Sequence, residues 1–330
     1  MKIKKIRPLI IILSAVLLIN ICLQLLCLYF VNRAFHPLLP VNAPDSALFQ
    51  KEHRPVYEGE DPVELFNQSE KNRCYPLLKD VSQKVSITSF DGLNLNAHLA
   101  VHTEAEQSHN YVILMHGFRD SSKTVSPYAM HFYNRGYNVL VPGQRGHGWS
   151  DGNFVDMSAF TPYDVKSWAE FLCQFDDQAK IALWGISMGG STVMRATGLE
   201  LPENVLCCVE DCGFSSMWDE FIFQLDNLYN LPGKILLPYF NLYIKRKLGF
   251  DSKKISAKDD LTRSVTPTLF IHGNADNFVP FYMLDTVYEA AACPREKLVI
   301  DNAVHARSAF TAPDIYWQKV DEFLDKYLCD

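Results

Sequence analysis

The chain has 330 residues, 48% of them hydrophobic and 12% aromatic, which supplies a sizeable core and excludes a disordered protein. Its net charge is −7, and since Lys2, Lys4, Lys5, Arg7 and Arg33 stand among the first 33 residues with no acid beside them, the remainder is more acidic still. An acidic body argues against nucleic acid or anionic lipid as its main partner.

Leu9 to Val31 holds no charged residue, and only Ser14, Asn20 and Gln24 interrupt it as clearly polar groups. These 23 residues match the ~20 that a membrane-spanning helix needs. The basic cluster just before them keeps the N-terminus in the cytoplasm and sends the body to the outer side. A cleaved signal peptide competes, but its apolar region is usually only ~7–15 residues and ends in small residues. Tyr29-Phe-Val-Asn-Arg33 offers no such site, and Cys22 and Cys27 lack the small residue before them that a lipoprotein signal requires. The expectation is therefore an uncleaved single-pass anchor over residues 1–33.

From 34 to 80 the chain reads as a linker and helical arm: Pro37, Pro40, Pro44 and Pro55 break structure, and Pro62-Val-Glu-Leu-Phe restarts a helix. Asn67-Gln-Ser69 fits a glycosylation sequon, a single weak match. From 81 the pattern changes. Val85 to Phe90 and Leu93 to Val101 alternate apolar and polar residues around Asp91-Gly92, a hairpin by its period of two and its turn dipeptide.

Tyr111-Val-Ile-Leu-Met, Tyr137-Asn-Val-Leu-Val, Ile181-Ala-Leu-Trp, Val205-Leu-Cys-Cys-Val, Thr268-Leu-Phe-Ile and Lys297-Leu-Val-Ile are short apolar runs typical of strands buried on both faces. Helical spacing separates most of them, clearest over Tyr163 to Phe175 and Tyr316 to Tyr327. This alternation predicts an eight-stranded, mainly parallel sheet with helices on both faces. More than fifty residues between the strands ending near Glu210 and starting near Thr268 break the alternation. Trp218, Phe221, Ile222, Leu225 and Leu228, then Ile235 to Tyr243, are spaced as helices, so 215–264 reads as an inserted helical lid; the alternative is that these helices only complete the core.

Nine cysteines, two of them in the anchor, do not form a stapled secreted pattern. Cys208 and Cys212 on one extended strand would lie roughly 13 Å apart, too far for a disulfide without a bend. Cys207, Cys208 and Cys212 read as small buried hydrophobes. Without a second cysteine or histidine pair at finger-like spacing, neither a zinc site nor any other cofactor is expected.

Trp184-Gly-Ile-Ser-Met-Gly-Gly carries the chemistry. A strand precedes Ser187 and a helix can begin at Ser191, while Gly185 and Gly189 leave room for a serine on a tight turn. The helix start aims the Met188 backbone N–H at developing negative charge. A serine hydroxyl needs a base, and a carboxylate must orient that base. His305, in the loop after the last strand, is the candidate base; His98 and His102 fall in the hairpin, His131 in a helix, and His36 and His53 in the linker. Asp276, in His272-Gly-Asn-Ala-Asp-Asn-Phe-Val-Pro, completes the chain order serine, acid, histidine. Asp211 competes with it, although its position suits the base of the lid.

Together these residues resemble the α/β-hydrolase superfamily over about 81–330. Leu114-Met-His-Gly-Phe is similar to its oxyanion-loop motif, Gln144-Arg-Gly-His-Gly-Trp-Ser to the loop after the next strand, and Gly185-Ile-Ser-Met-Gly to its nucleophile elbow. The resemblance implies the α/β-hydrolase fold with an N-terminal transmembrane helix, Phe118 N–H beside Met188 N–H in an oxyanion hole, and structural roles for His116, Arg145 and His147. Relatives often carry an aspartate where Gly143 stands, so the bracing of that loop must come from elsewhere. The overall look is of membrane-anchored, lidded esterases or serine peptidase-like hydrolases.

The resulting expectation is a serine hydrolase of carboxylic esters with an apolar acyl or aryl group, favoured by the aromatic lid. Ser187, His305 and Asp276 would be its catalytic residues, a small-molecule ester its substrate, and the membrane its anchor. An amidase, peptidase or thioesterase would use the same residues, and a silent binding module on the same scaffold is the remaining alternative.

Overall fold

A computed structural model describes residues 3–36, 61–102 and 108–329, with side chains from residue 11 onward in the first helix. Pro37, Pro40, Pro44, Pro55 and His53 lie outside the described residues. Helix α1, Ile3–Phe35, is the long apolar segment. Helix α2, Pro62–Val81, starts where the Asp61 carboxylate accepts the Val63 N–H at 3.0 Å and a proline occupies the first turn. Asn67 is fully buried on α2, which leaves the sequon no accessible acceptor.

Strands β1 (Ser82–Thr88) and β2 (Asn94–Ala100) form the expected hairpin. Strand and helix then alternate through β3 (Asn110–Met115), α3 (Ser122–Asn134), β4 (Asn138–Pro142), α4 (Thr161–Phe175), β5 (Lys180–Ile186), α5 (Met188–Thr197) and β6 (Val205–Asp211). Three helices follow before the next strand: α6 (Met217–Asn227), α7 (Gly233–Leu248) and α8 (Ala257–Leu261). The chain closes with β7 (Thr268–Gly273), α9 (Tyr282–Ala290), β8 (Arg295–Ile300), α10 (Ser308–Thr311) and α11 (Pro313–Leu328).

All eight strands form one sheet in the order β1-β2-β4-β3-β5-β6-β7-β8, with β1–β2 and β2–β4 antiparallel and the other pairs parallel. The period of two divides each central strand between two cores. Val112 and Leu114 pack with Leu78, Tyr128 and Tyr316 from α2, α3 and α11. Tyr111 and Ile113 pack on the other face with Trp168 and Leu172 of α4 and Val193 of α5. Helices α3 and α5 therefore leave β3 and β5 toward opposite faces. A crevice opens at the carboxyl ends of these neighbouring strands, where such sheets place ligands.

A third core lies above that crevice, and it contains the end of α1. Cys27, Val31 and Phe35 are buried with Leu225, Leu237 and Phe240 of α6 and α7. Phe30 stacks on Phe240 at 5.6 Å, Phe35 meets Phe221 and Phe250 edge-on at 5.8 Å each, and the Phe35 carbonyl accepts the Val155 N–H at 2.9 Å. The expected division at residue 33 thus falls inside a continuous helix whose last turns belong to the body. Ile11–Phe35 as a whole is long and apolar enough to cross a membrane, and farther back the helix is bare, with Leu17 61% exposed.

Phe35→Ala should accordingly destabilise the body by about 3 kcal/mol, the scale of a core aromatic deletion, whereas Leu17→Ala should stay within about 0.5 kcal/mol. Urea unfolding of the full-length protein in detergent, followed by tryptophan fluorescence, measures both.

Candidate active site

Ser187 sits between β5 and α5 with φ at 57°, a backbone conformation that costs a residue bearing a Cβ. Two bonds hold it there: its N–H donates to the Asp211 carbonyl at 2.8 Å, and its carbonyl accepts the Ser191 N–H at 3.0 Å. A Cβ on Gly189 would overlap the Met115 carbonyl at the end of β3, and one on Gly185 would overlap the Gly189 carbonyl. Neither position tolerates a side chain, which explains the glycine spacing.

His305 Nε2 lies 2.8 Å from Ser187 Oγ, and its Nδ1 lies 2.7 Å from Asp276 Oδ2. A carboxylate only accepts, which assigns the proton to Nδ1 and leaves Nε2 to accept from the serine hydroxyl. Asp276 Oδ1 accepts the backbone N–H groups of Phe278 at 2.9 Å and Val279 at 3.0 Å. The acid loop is tied to the histidine loop through Asn274, whose Nδ2 donates to Asp301 at 2.8 Å and whose Oδ1 accepts the Asn302 N–H at 2.7 Å. Burial alone would push the Asp276 carboxyl up, but the charges and hydrogen bonds of His305 and His272 hold it well below the usual carboxylate range.

The three expected side chains are therefore brought together. Asp211 is near but differently used: its backbone carbonyl holds Ser187, while its carboxylate is buried beside Tyr316 and Cys212, and burial pushes the group up to about 6. Three of the other histidines bind elsewhere, His98 to Ser82 at 3.0 Å and His131 to Asp321 at 3.0 Å, with His102 stacked on Tyr133. Gly117 packs on the serine, since a Cβ there would sit 3.5 Å from Ser187 Cβ, and Phe118 and Met188 line the same cleft as Ser187. His116 Nε2 accepts the Gln144 N–H at 3.2 Å, and the His147 ring meets the Arg145 carbonyl. Arg145 reaches Asp164 at 2.6 Å and Asp91 at 2.8 Å, and this pair braces the loop after β4.

His272 was not singled out from the sequence. Its Nε2 lies 3.2 Å from Asp276 Oδ2 and 3.0 Å from the Val279 carbonyl, so Asp276 serves two imidazoles. The four-residue spacing of His272 and Asp276 past a strand end was the available signal. Two buried acids were also missed. Glu210 accepts the Gly213 N–H at 2.9 Å with one oxygen while the other is unpartnered, and Glu220 accepts the Gln224 amide at 2.7 Å. Burial pushes each up to about 8.

Among the described residues, Cys212, Asp276 and His305 bring three donor atoms within 4.8 Å of one another. They suit a metal poorly, because Asp276 and His305 already bond each other and burial pushes the Cys212 thiol well above its ordinary value. All nine cysteines are free. Above Ser187 opens a cleft of about 890 Å³ counting its mouth, with aromatic and aliphatic walls that include Phe30, Val31, Phe118, Phe221, Leu225 and Phe278.

Residues 106–210 match the family model described as serine aminopeptidase, S33; the match includes Ser187 and ends before Asp276 and His305. The chain is 25% identical over 273 residues to the uncharacterized protein YqkD of Bacillus subtilis (strain 168), covering 82% of this chain and 85% of that one. The esterase Pf2001 of Pyrococcus furiosus superposes with a TM-score of 0.62 at 22% identity, over 76% of this chain and 95% of that chain. The acylaminoacyl peptidase of Pyrococcus horikoshii does so with a TM-score of 0.55 at 17% identity, over 75% and 41%. These likenesses establish the fold.

The buried acids make stability depend on pH. Glu210 in the folded protein titrates near 8 against 4.5 for an ordinary glutamate, so between those values the folded state holds a proton that the unfolded state has released. Its favourable contribution is complete below about pH 4.5 and is lost as pH rises toward 8. Glu210→Gln should remove a loss on the order of 3 kcal/mol between pH 6 and 8. Melting temperatures across that range should fall less steeply for the variant than for the parent.

Proposed function

We propose that this chain, which has the fold of the α/β-hydrolase superfamily, is a membrane-anchored serine hydrolase cleaving carboxylic esters with an apolar acyl or aryl group. The observation that carries this reading is the unbroken run of contacts from Ser187 Oγ to His305 Nε2 at 2.8 Å and from His305 Nδ1 to Asp276 Oδ2 at 2.7 Å.

Ser187 Oγ attacks the acyl carbonyl carbon as His305 Nε2 takes its proton, and the Asp276 carboxylate stabilises the imidazolium that forms. The oxyanion meets the backbone N–H groups of Met188, at the positive end of α5, and Phe118. Collapse of the tetrahedral adduct expels the alcohol, which receives its proton from His305. Water, deprotonated by the same histidine, then releases the acid from Ser187.

Amide cleavage is the second reading, favoured by the serine aminopeptidase model and by the peptidase neighbour. An aminopeptidase must hold the α-ammonium of its substrate. In this cleft the acid available is Glu220, which burial pushes up to about 8 and so leaves mostly neutral at pH 7. That chemistry and the apolar walls support an ester. A thioester would meet the same groups, while a silent binding module would have no use for a serine held in strain against a base.

Full-length protein should turn over p-nitrophenyl esters faster than aminoacyl anilides, and Ser187→Ala should lower kcat on the esters on the order of 10⁶-fold. Comparable anilide turnover would favour the second reading. Lys2, Lys4, Lys5 and Arg7, ahead of the apolar run, support a body outside the cytoplasm; protease added to intact cells should therefore digest the body, and complete protection would reverse that orientation.

A further inference from the structure

Helix α1 passes through two environments without a break. From Ile11 to Ile21 its large apolar side chains stand exposed, Leu18 at 63%, and Leu25 is exposed at 60%; Leu23 and Leu26 already pack against the body, and from Cys27 onward the inner face is buried in it. The buried turns do more than dock. Phe30, Val31, Ala34 and Phe35 form one wall of the cleft that holds Ser187, and Phe240 and Ile244 of α7 belong to the same lining. Leu25 and Phe30 are five residues apart, about 7.5 Å along the helix axis. The wall of the cleft thus begins within a headgroup's depth of the segment built for hydrocarbon.

Helix α7 supplies an independent observation. Its inner face carries Phe240 and Ile244, whereas Ile235, Tyr239 and Leu242 point outward at 65%, 52% and 50% exposure. Their spacing of four and three puts them on one stripe. Lys234 precedes the stripe and Lys245, Arg246 and Lys247 follow it. An apolar stripe with basic residues at its ends is the pattern of a helix lying in the membrane interface, and this one is packed against the spanning helix through Phe30 and Phe240.

We propose that the cleft is loaded from the bilayer: the substrate is the acyl ester of a lipid resident in the same membrane, whose chain enters between α1 and α7 while its ester carbonyl reaches Ser187. This rests on the serine hydrolase reading and names its substrate class. One water is consumed per turnover; its hydroxyl ends on the acyl carbon and its proton on the leaving alcohol, so a fatty acid and a deacylated lipid result. The α7 stripe seats the mouth of the cleft in the interface. The bilayer is its occupant because basic residues flank the stripe at both ends and α7 packs against α1, whose exposed apolar length suits a membrane.

The test uses full-length protein in vesicles of a diether phosphatidylcholine, which it cannot hydrolyse, carrying 4-methylumbelliferyl oleate, alongside 4-methylumbelliferyl butyrate supplied from water. The quantity read is the ratio of oleate to butyrate turnover. The double substitution Ile235→Glu with Leu242→Glu changes only exposed positions, and Val31→Trp fills the wall of the cleft. Each should lower the ratio about tenfold or more: the glutamates remove apolar contact with the interface and the tryptophan takes space the acyl chain would fill, either one worth at least about two buried methylenes. A ratio within about twofold of the parent in either variant, with butyrate turnover still abolished by Ser187→Ala, overturns loading from the bilayer and leaves the hydrolase standing. Butyrate turnover that survives Ser187→Ala overturns both.

Discussion

The close approach of three backbone segments at the carboxyl ends of β3, β5 and β6 governs this molecule. Gly189 lies against the Met115 carbonyl, Gly185 against Gly189, and the Ser187 N–H against the Asp211 carbonyl. With no side chain between them, the turn after β5 closes tightly enough to force Ser187 to φ 57°. A conformation that costs on the order of 1–3 kcal/mol persists only where its surroundings over-determine it, and here a parallel sheet buried on both faces supplies the constraint. The same geometry lifts the serine hydroxyl into the crevice between diverging helices. The loops after β7 and β8 then need only deliver an acid and a base to a fixed point.

Electrostatics separates the acids gathered around that point. Glu210, Asp211 and Glu220 are all buried, and burial pushes each upward. Asp276 is buried too, yet two backbone N–H groups and two imidazoles keep it ionised. One full carboxylate therefore faces His305, while Glu210 and Glu220, pushed up to about 8, are mostly neutral near pH 7 and Asp211, pushed only to about 6, keeps most of its charge there. His272 helps to hold Asp276 by meeting the same Oδ2 that faces His305, while the Phe278 and Val279 N–H groups hold Oδ1, and together these contacts limit rotation of the carboxylate.

Much of this was legible in the residues. Strands such as Val112 to Leu114 declare themselves because burial on both faces demands continuous apolar runs, and the elbow does because only glycine fits at 185 and 189. The order Ser187, Asp276, His305 could be read since each sits just past a strand end. Less legible was anything set by a partner from another part of the chain. An apolar residue looks the same whether lipid or protein covers it, so nothing in Phe30-Val-Asn-Arg-Ala-Phe35 betrays that α1 ends as a wall of the cleft. His272 and Glu210 read as ordinary strand residues until β6, β7 and the following loops converge. The brace from Arg145 to Asp164 and Asp91 likewise joins three segments distant in sequence.

On the proposed function, Ser187 is a nucleophile activated by His305. The most direct measurement of this is treatment of the full-length protein with an alkyl fluorophosphonate, followed by mass-spectrometric mapping of the modified peptide. The expected result is one phosphonyl adduct, on Ser187, that fails to form in the His305→Ala variant at equal folded concentration. An adduct on another residue, or one on Ser187 that forms as fast without His305, would contradict it.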